Sequence, residues 1–389
     1  MDNKITVAVI GMGGYGIHYV RAAVEQAEEY GIRCVGMVDI RPENCPLYEQ
    51  VVEQGIPVYG SVEALFEKAA PQLTFIATPI QFHCRQACYA MEHGSHVLCE
   101  KPAAPTVEQV RRMEETSRAT GKFLAIGFQR CFAQATLKAK ADVLSGKYGK
   151  AIRFKAGIIM RRGLIYYQRG WAGRWHLDGE MIYDSVANNS AAHYLQNLLF
   201  MAGPSLSASA EIKDICAEMY RVNAIENYDT VSARMTAQNG AELFFVATHA
   251  ADGDFGFEGC CEFEKGKIFF DPNENVWGER NDGTRIDYGN AKDDYFTKIR
   301  QSLDCVRGKG CLTCDIRTAA PHTAFIEYIQ NTFPITDLQH LAQLRDNAHP
   351  GNPPSLQKYI PGMTEAVKAS YENCAMLSHT LFGEPEYER

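Results

Sequence analysis

Long apolar runs are missing from this 389-residue chain, and so is any surplus of positive charge. The apolar stretch near its start, residues 5–10, is too short for a signal peptide or a spanning helix. The sequence is therefore expected to be cytoplasmic and to have no membrane partner. Lys and Arg number 39 against 47 Asp and Glu, a net charge of −8. That balance argues against a nucleic-acid partner, which needs a positive footprint. Internal repeats, low-complexity tracts and long linkers are also missing. The 13 cysteines are odd in number and lack framework spacing, so they read as reduced thiols. Cys311 and Cys314 have the spacing of a metal or redox pair, but no second C-x-x-C accompanies them. His83, Cys84, Cys88, His93, His96 and Cys99 crowd together at spacings that suit helix and strand surfaces better than a ligand set. No metal is expected.

What the chain has instead is a strand, a turn and a helix at its start. A β-branched run over residues 5–10 leads into Gly11-Met12-Gly13-Gly14-Tyr15-Gly16, and residues 17–29 are compatible with a helix. This is the pattern of a dinucleotide site: the first glycine makes the turn, the second admits a pyrophosphate to the backbone, and the third lets helix and strand pack closely. Residues 34–38 read as the next buried strand and end in Asp39, close to where such a fold sets an acid on the adenosine ribose. A carboxylate there repels a 2′-phosphate and favours NAD. Arg41, two residues on, keeps NADP as the alternative.

Further along, Ser61 and Thr106 stand as N-caps, and residues 73–78 and 96–99 form apolar strands. Residues 82–93 read as a helix stopped by Gly94, and 123–127 as a last strand. Alternation of this kind makes a parallel sheet with right-handed crossovers. Glu100-Lys101-Pro102 follows the strand at 96–99 directly, and strand carboxyl ends in a doubly wound sheet face the ligand crevice, so Lys101 is expected where chemistry happens. Hydrophobic residues at 46% and a length beyond one typical domain allow two domains.

Gly11 to Gly16, Asp39, Thr78-Pro79 with His83, and Glu100-Lys101-Pro102 together resemble the glucose-fructose oxidoreductase, inositol dehydrogenase and MocA family. The resemblance covers the N-terminal domain in order and is less clear beyond it. It implies an α/β protein: a Rossmann doubly wound parallel sheet over residues 1–127, then an α/β domain with a large open mixed sheet and C-terminal helices over 128–389. It also implies NAD or NADP, a sugar, cyclitol or glycoside substrate, and Lys101 beside the reacting hydroxyl. The implied cofactor set is Gly11, Met12, Gly13, Gly14, Tyr15, Gly16, Asp39, Arg41, Thr78, Pro79, His83, Glu100 and Lys101. By analogy, an open sheet face suggests a homo-oligomer, a dimer or tetramer.

From Val143 to Leu177 there is no acidic residue, while Arg162, Arg169, Arg174, Tyr166, Tyr167, Trp171 and Trp175 cluster late in that window. Aromatic faces beside arginines suit a carbohydrate pocket, and a sheet face or subunit contact is the plainer explanation. The segment from Asp178 to Tyr194 departs from the family, which usually shows D-x-x-x-H here. Asp184 matches the aspartate, but Asn188 stands at the histidine position, and an amide does not exchange a proton near neutral pH. On a regular helix from Asp184, His193 falls near the opposite face, whereas a break around Asn188 and Asn189 reverses that. The catalytic candidates are Lys101, Asp184, Asn188, His193 and His249. The substrate candidates are Lys101, Arg162, Trp171, Trp175, Tyr183, Asp184, Asn188 and Asn189. Residues 295–306, 318–331 and 364–381 read as helices and Pro350–Pro354 as a loop. The leading expectation is hydride transfer from a sugar hydroxyl. A redox-neutral NAD-dependent glycosidase working through a keto-sugar and a non-catalytic NAD-binding sugar sensor are the alternatives.

Overall fold

A computed structural model describes residues 4–292, 296–346 and 355–383; the loop expected at Pro350–Pro354 lies outside them. The chain divides into two compact units, Met1–Phe132 with Tyr295–Ala320, and Ala133–Asp294 with Pro321–Arg389.

In the first unit β1 (Ile5–Ile10), β2 (Ile32–Val38), β3 (Val58–Tyr59), β4 (Leu73–Ile76), β5 (His96–Cys99) and β6 (Leu124–Ile126) form one parallel sheet in the order β3-β2-β1-β4-β5-β6. This is the doubly wound order expected from the sequence. Its central strands are mostly apolar, as strands covered on both faces are; β4 is buried along its whole length. Ser61 and Thr106 cap their helices as expected, accepting from Ala64 N at 3.2 Å and Gln109 N at 3.3 Å. The helix expected at 82–93 spans His83–Glu92, and Gly94 follows at φ +89°.

The expected boundary at residue 127 needs correction, because the first unit runs on to Phe132 and takes back a later segment. The reason is apolar burial: Ile299 and Leu303, one turn apart on the helix Thr297–Val306, sit in the same core as Tyr19, Val20 and Phe75. Burying two such side chains is worth about 3–6 kcal/mol.

The second unit is built on β7 (Ala151–Ile159), the small hairpin β8 (His176–Leu177) and β9 (Glu180–Met181), β10 (Ile212–Arg221), β11 (Thr230–Ala237), β12 (Glu242–Thr248), β13 (Gly256–Phe263), β14 (Gly266–Phe270), β15 (Asn275–Arg280), β16 (Arg285–Asn290), β17 (Ile335–Asp337), and a second hairpin, β18 (Gln343–Asp346) with β19 (Leu356–Tyr359). Nine of these make a mixed sheet, ordered β16-β15-β14-β13-β7-β12-β11-β10-β17. β7 and β12 run parallel and β13 antiparallel to β7. One face packs on Leu195, Leu199, Phe325 and Ile329. The opposite face, through Phe244 and Val246, packs under Met363, Val367, Tyr371 and Leu377. The face on which the oligomer expectation rested is thus covered over β7 and β12 by the chain's own helix Met363–Asn373. The helix expected over 364–381 is two, Met363–Asn373 and Leu377–Phe382, interrupted where Cys374 turns left-handed at φ +54°.

No regular helix starts at Asp184. Ser185 caps a single wide π-helical turn, Val186–Ser190, and a regular helix begins only at Ala192–Met201. Asn188, Asn189 and Ser190 direct their side chains at nearby polar groups, which competes with regular helical bonding. The break is where the sequence allowed for one. Among the described residues no helix is long and apolar enough to cross a membrane.

Candidate active site

In the first unit the candidate site is the turn after β1. Gly11 has φ +87°, and a Cβ there would lie 2.8 Å from Ala77 O; at Gly16 it would lie 2.1 Å from Gly11 O. Both positions therefore demand glycine. Gly13 and Gly14 are exposed, and a Cβ on either would meet nothing within 4 Å, so the turn leaves open space over its backbone. Behind it starts the helix Ile17–Val24, whose N-terminal end carries partial positive charge. Asp39, at the end of β2, accepts Met12 N at 2.7 Å and Arg41 N at 2.8 Å. A carboxylate has about four lone-pair directions, so two remain for ribose hydroxyls. Arg41 itself is exposed. An open backbone, a helix end and an acid at the next strand fit a dinucleotide.

Other residues expected in the cofactor set also have partners within the unit. The Met12 side chain is fully buried, so only its backbone faces the turn. His83 is buried with Nδ1 at 2.9 Å from Pro102 O and Nε2 at 2.8 Å from Thr78 O, clamping the loops after β4 and β5 together. Burial holds its pKa below the usual histidine range. Thr78 donates its hydroxyl to Gln86 Oε1 at 2.6 Å, and Pro79 caps the short turn that follows. Glu100 is buried in an ion pair with Lys298 and accepts Tyr19 Oη at 2.6 Å, while its second oxygen accepts Lys101 N at 3.2 Å. Tyr15 points its hydroxyl at the same lysine, 3.0 Å away. Lys101 is half-buried at the strand end.

In the second unit a polar and aromatic cluster forms around Asp184. Its carboxylate is buried, accepting Gly173 N at 2.6 Å and Asn189 Nδ2 at 2.8 Å. Asn189 Nδ2 also lies 3.4 Å from Tyr166 Oη. The guanidinium groups of Arg162 and Arg169 each lie 5.0 Å from the Tyr166 ring centroid, and Trp171 meets the ring edge-on at 6.1 Å. Burial first, then the Asp184 charge, pushes the Tyr166 phenol well up. The basic and aromatic window therefore does converge on Asp184.

His249 closes this cluster from β12. Its Nδ1 is 2.8 Å from Tyr167 Oη and its Nε2 contacts Ser190 Oγ. Burial, then Arg162, holds its pKa well below the usual range, so the ring is neutral at pH 7 and both nitrogens are engaged. The ring thus bridges two hydroxyls. Asn188 is buried and donates to Ile182 O at 3.3 Å and Tyr183 O at 3.1 Å. Its amide holds the chain entering the π turn. His193 is half-buried in the first turn of the helix Ala192–Met201.

Trp175 and Tyr183 are not in the cluster. Trp175 lines an open groove of about 690 Å³ with Arg221, Phe333 and Ile335, and neither Asp184, Asn189, Tyr166 nor His249 lines it. Tyr183 is buried and donates to Asn331 Oδ1 at 3.3 Å. Lys298, Tyr19 and Ser190 escaped the sequence reading altogether. Lys298 pairs with a residue 198 positions away, and no local spacing signals such a contact.

Residues 5–128 match the model of an oxidoreductase family described by its NAD-binding Rossmann fold, the glucose-fructose oxidoreductase, inositol dehydrogenase and MocA family. This part of the chain is similar to that family. The family's fold is the one seen in β1 to β6, and its match ends beside Gln129. The chain is 35% identical over 107 residues to the D-glucoside 3-dehydrogenase of Escherichia coli, covering 28% of this chain and 30% of that protein. It is 32% identical over 181 residues to a glycosyl hydrolase family 109 protein of Porphyromonas gingivalis, covering 43% of this chain and 38% of that one. The chain thus spans about a third of the length of these curated relatives. Among solved structures, the WlbA dehydrogenase of Bordetella pertussis, in complex with NADH and UDP-GlcNAcA, superimposes with a TM-score of 0.69 at 21% identity, over 85% of this chain and 96% of that one. At that identity the likeness is one of fold, and it extends through the second unit.

Proposed function

We propose that the chain is an NAD-dependent oxidoreductase that oxidises a carbinol of a sugar, cyclitol or sugar derivative, with NADP as the alternative cofactor. The observation that carries this is Lys101. It stands at the carboxyl end of β5, in the same unit as the glycine turn, with its backbone N–H fixed by Glu100. A bound dinucleotide supplies the hydride acceptor at C4 of its nicotinamide. Lys101 accepts the hydroxyl proton as general base, a role typically worth about 10²–10⁴ in rate. In the second unit Asp184 and Asn189 hold sugar hydroxyls, and Trp171 and Tyr166 offer flat faces to sugar C–H groups. The relatives named as a glucoside dehydrogenase and as a WlbA dehydrogenase support a sugar substrate.

A second reading is favoured by the relative named as a family 109 glycosyl hydrolase. Oxidation of a ring hydroxyl acidifies the adjacent C–H, the glycosidic substituent is eliminated with that proton, water adds to the alkene left behind, and the ketone is reduced again, so a glycoside is cleaved without net NADH. One experiment separates the two. Nucleotide released from purified protein by denaturation is quantified, and native protein is incubated with free sugars and aryl glycosides while NADH absorbance is followed. NADH made from added NAD and a free sugar supports the dehydrogenase; stoichiometric bound nucleotide with aryl-glycoside cleavage and no net NADH supports the second reading. Lys101→Met with native nucleotide binding and unchanged turnover would refute both.

A further inference from the structure

We propose that Lys298 is a positioning residue that ties the glycine turn to the Glu100–Lys101 strand end, so that occupancy of the turn sets the placement of Lys101. The inference rests on the reading of that turn as a nucleotide site. Lys298 lies on the helix Thr297–Val306 and is 1% exposed. Its ammonium pairs with Glu100 Oε1 and reaches Tyr15 Oη at 3.0 Å, with the Tyr15 ring centroid at 4.4 Å. Tyr15 belongs to the turn itself, between Gly14 and Gly16.

The two oxygens of Glu100 have different duties. Oε1 takes Lys298 and Tyr19, and Oε2 takes the backbone N–H of Lys101. Gly127 leaves the space for this carboxylate, since a Cβ there would come within 2.7 Å of Oε1. Any movement of Tyr15 that draws Lys298 along rotates the carboxylate and shifts the N–H that precedes Pro102. A buried ion pair is weak evidence of stabilisation, because a well-packed apolar pair serves about as well. A specific geometric task accounts for keeping it.

The test uses the full chain and NADH as probe, with Lys298→Met, Lys298→Met/Glu100→Gln and Tyr15→Phe. Three quantities are read: thermal midpoint, NADH affinity by fluorescence, and the rate of reductive methylation of the Lys101 amine with and without NADH. Lys298→Met alone strands a buried carboxylate and lowers the midpoint; the double variant removes that charge and recovers most of it. If Lys298 positions the strand end, the recovered double variant still binds NADH about tenfold more weakly, and its Lys101 labelling no longer responds to NADH. Tyr15→Phe keeps the ion pair and the midpoint, yet weakens the response of Lys101 to NADH. A double variant with wild-type NADH affinity and wild-type labelling overturns the proposal. Absence of NADH binding by the wild type overturns the nucleotide reading instead. In that case Lys101 labelling of the unliganded proteins still decides on Lys298, and identical rates in wild type and double variant reject it.

Discussion

Gly13→Ala separates what the glycine turn does for folding from what it does for a ligand. Gly13 has φ −85° and ψ 171°, an extended conformation that alanine adopts freely, and its added Cβ meets no atom within 4 Å. Folding therefore gains rather than loses: a Gly→Ala change at a compatible position stabilises by about 0.4–1 kcal/mol through the unfolded chain. For a unit of this size that corresponds to roughly 1–4 °C in thermal midpoint. The same methyl stands over the backbone that a pyrophosphate must approach, so NADH affinity is expected to fall at least about tenfold, the equivalent of about 1.4 kcal/mol. Gly16→Ala is the contrast, because its Cβ would lie 2.1 Å from Gly11 O and the turn must shift. Overpacking of that kind costs about 1–3 kcal/mol, so its midpoint falls together with affinity. Thermal melts and NADH fluorescence titrations of both variants decide. Wild-type NADH affinity in Gly13→Ala would refute the dinucleotide assignment and leave an ordinary strand-to-helix turn.

Asn188→Ala leaves the carbonyls of Ile182 and Tyr183 without their donor, so stability should fall by about 1–3 kcal/mol in denaturant titrations, without a change in KM. Trp171→Ala should raise KM for the sugar several-fold, roughly the loss of one aromatic contact of about 0.5–1.5 kcal/mol, whereas Trp175→Ala, which lines a separate groove, should not; equal effects would place the sugar elsewhere. Burial depresses both His83 and His249, so the unfolded chain binds protons that the native one refuses once pH drops below about 6.5. Stability is then unaffected by these two groups above that pH and falls below it, by at most about 1.4 kcal/mol per unit for each. Denaturant titrations from pH 7.5 to 5 should show that slope, and His249→Asn should remove one proton from it.

The legible parts of this chain are those whose signal is local. The strand, glycine turn and helix at the start, the acid ending β2 and the Glu100-Lys101-Pro102 strand end lie within about a hundred residues, and short-range sterics and apolar runs specify them. The domain boundary was misplaced because the helix Thr297–Val306 reads as amphipathic without saying which core it joins; Ile299 and Leu303 find theirs beside Phe75. Lys298 was invisible for the same reason, its partner being set by sheet topology. Asn188 shows a different limit. Its spacing from Asp184 put it where a regular helix would share a face with the aspartate, but the π turn from Val186 to Ser190 changes the residues per turn. Asn189, not Asn188, therefore reaches the Asp184 carboxylate. The polar side chains that made the segment look functional are the same ones that bend the backbone. It follows that Asn189→Ala should disturb sugar binding, and Asn188→Ala should disturb only folding.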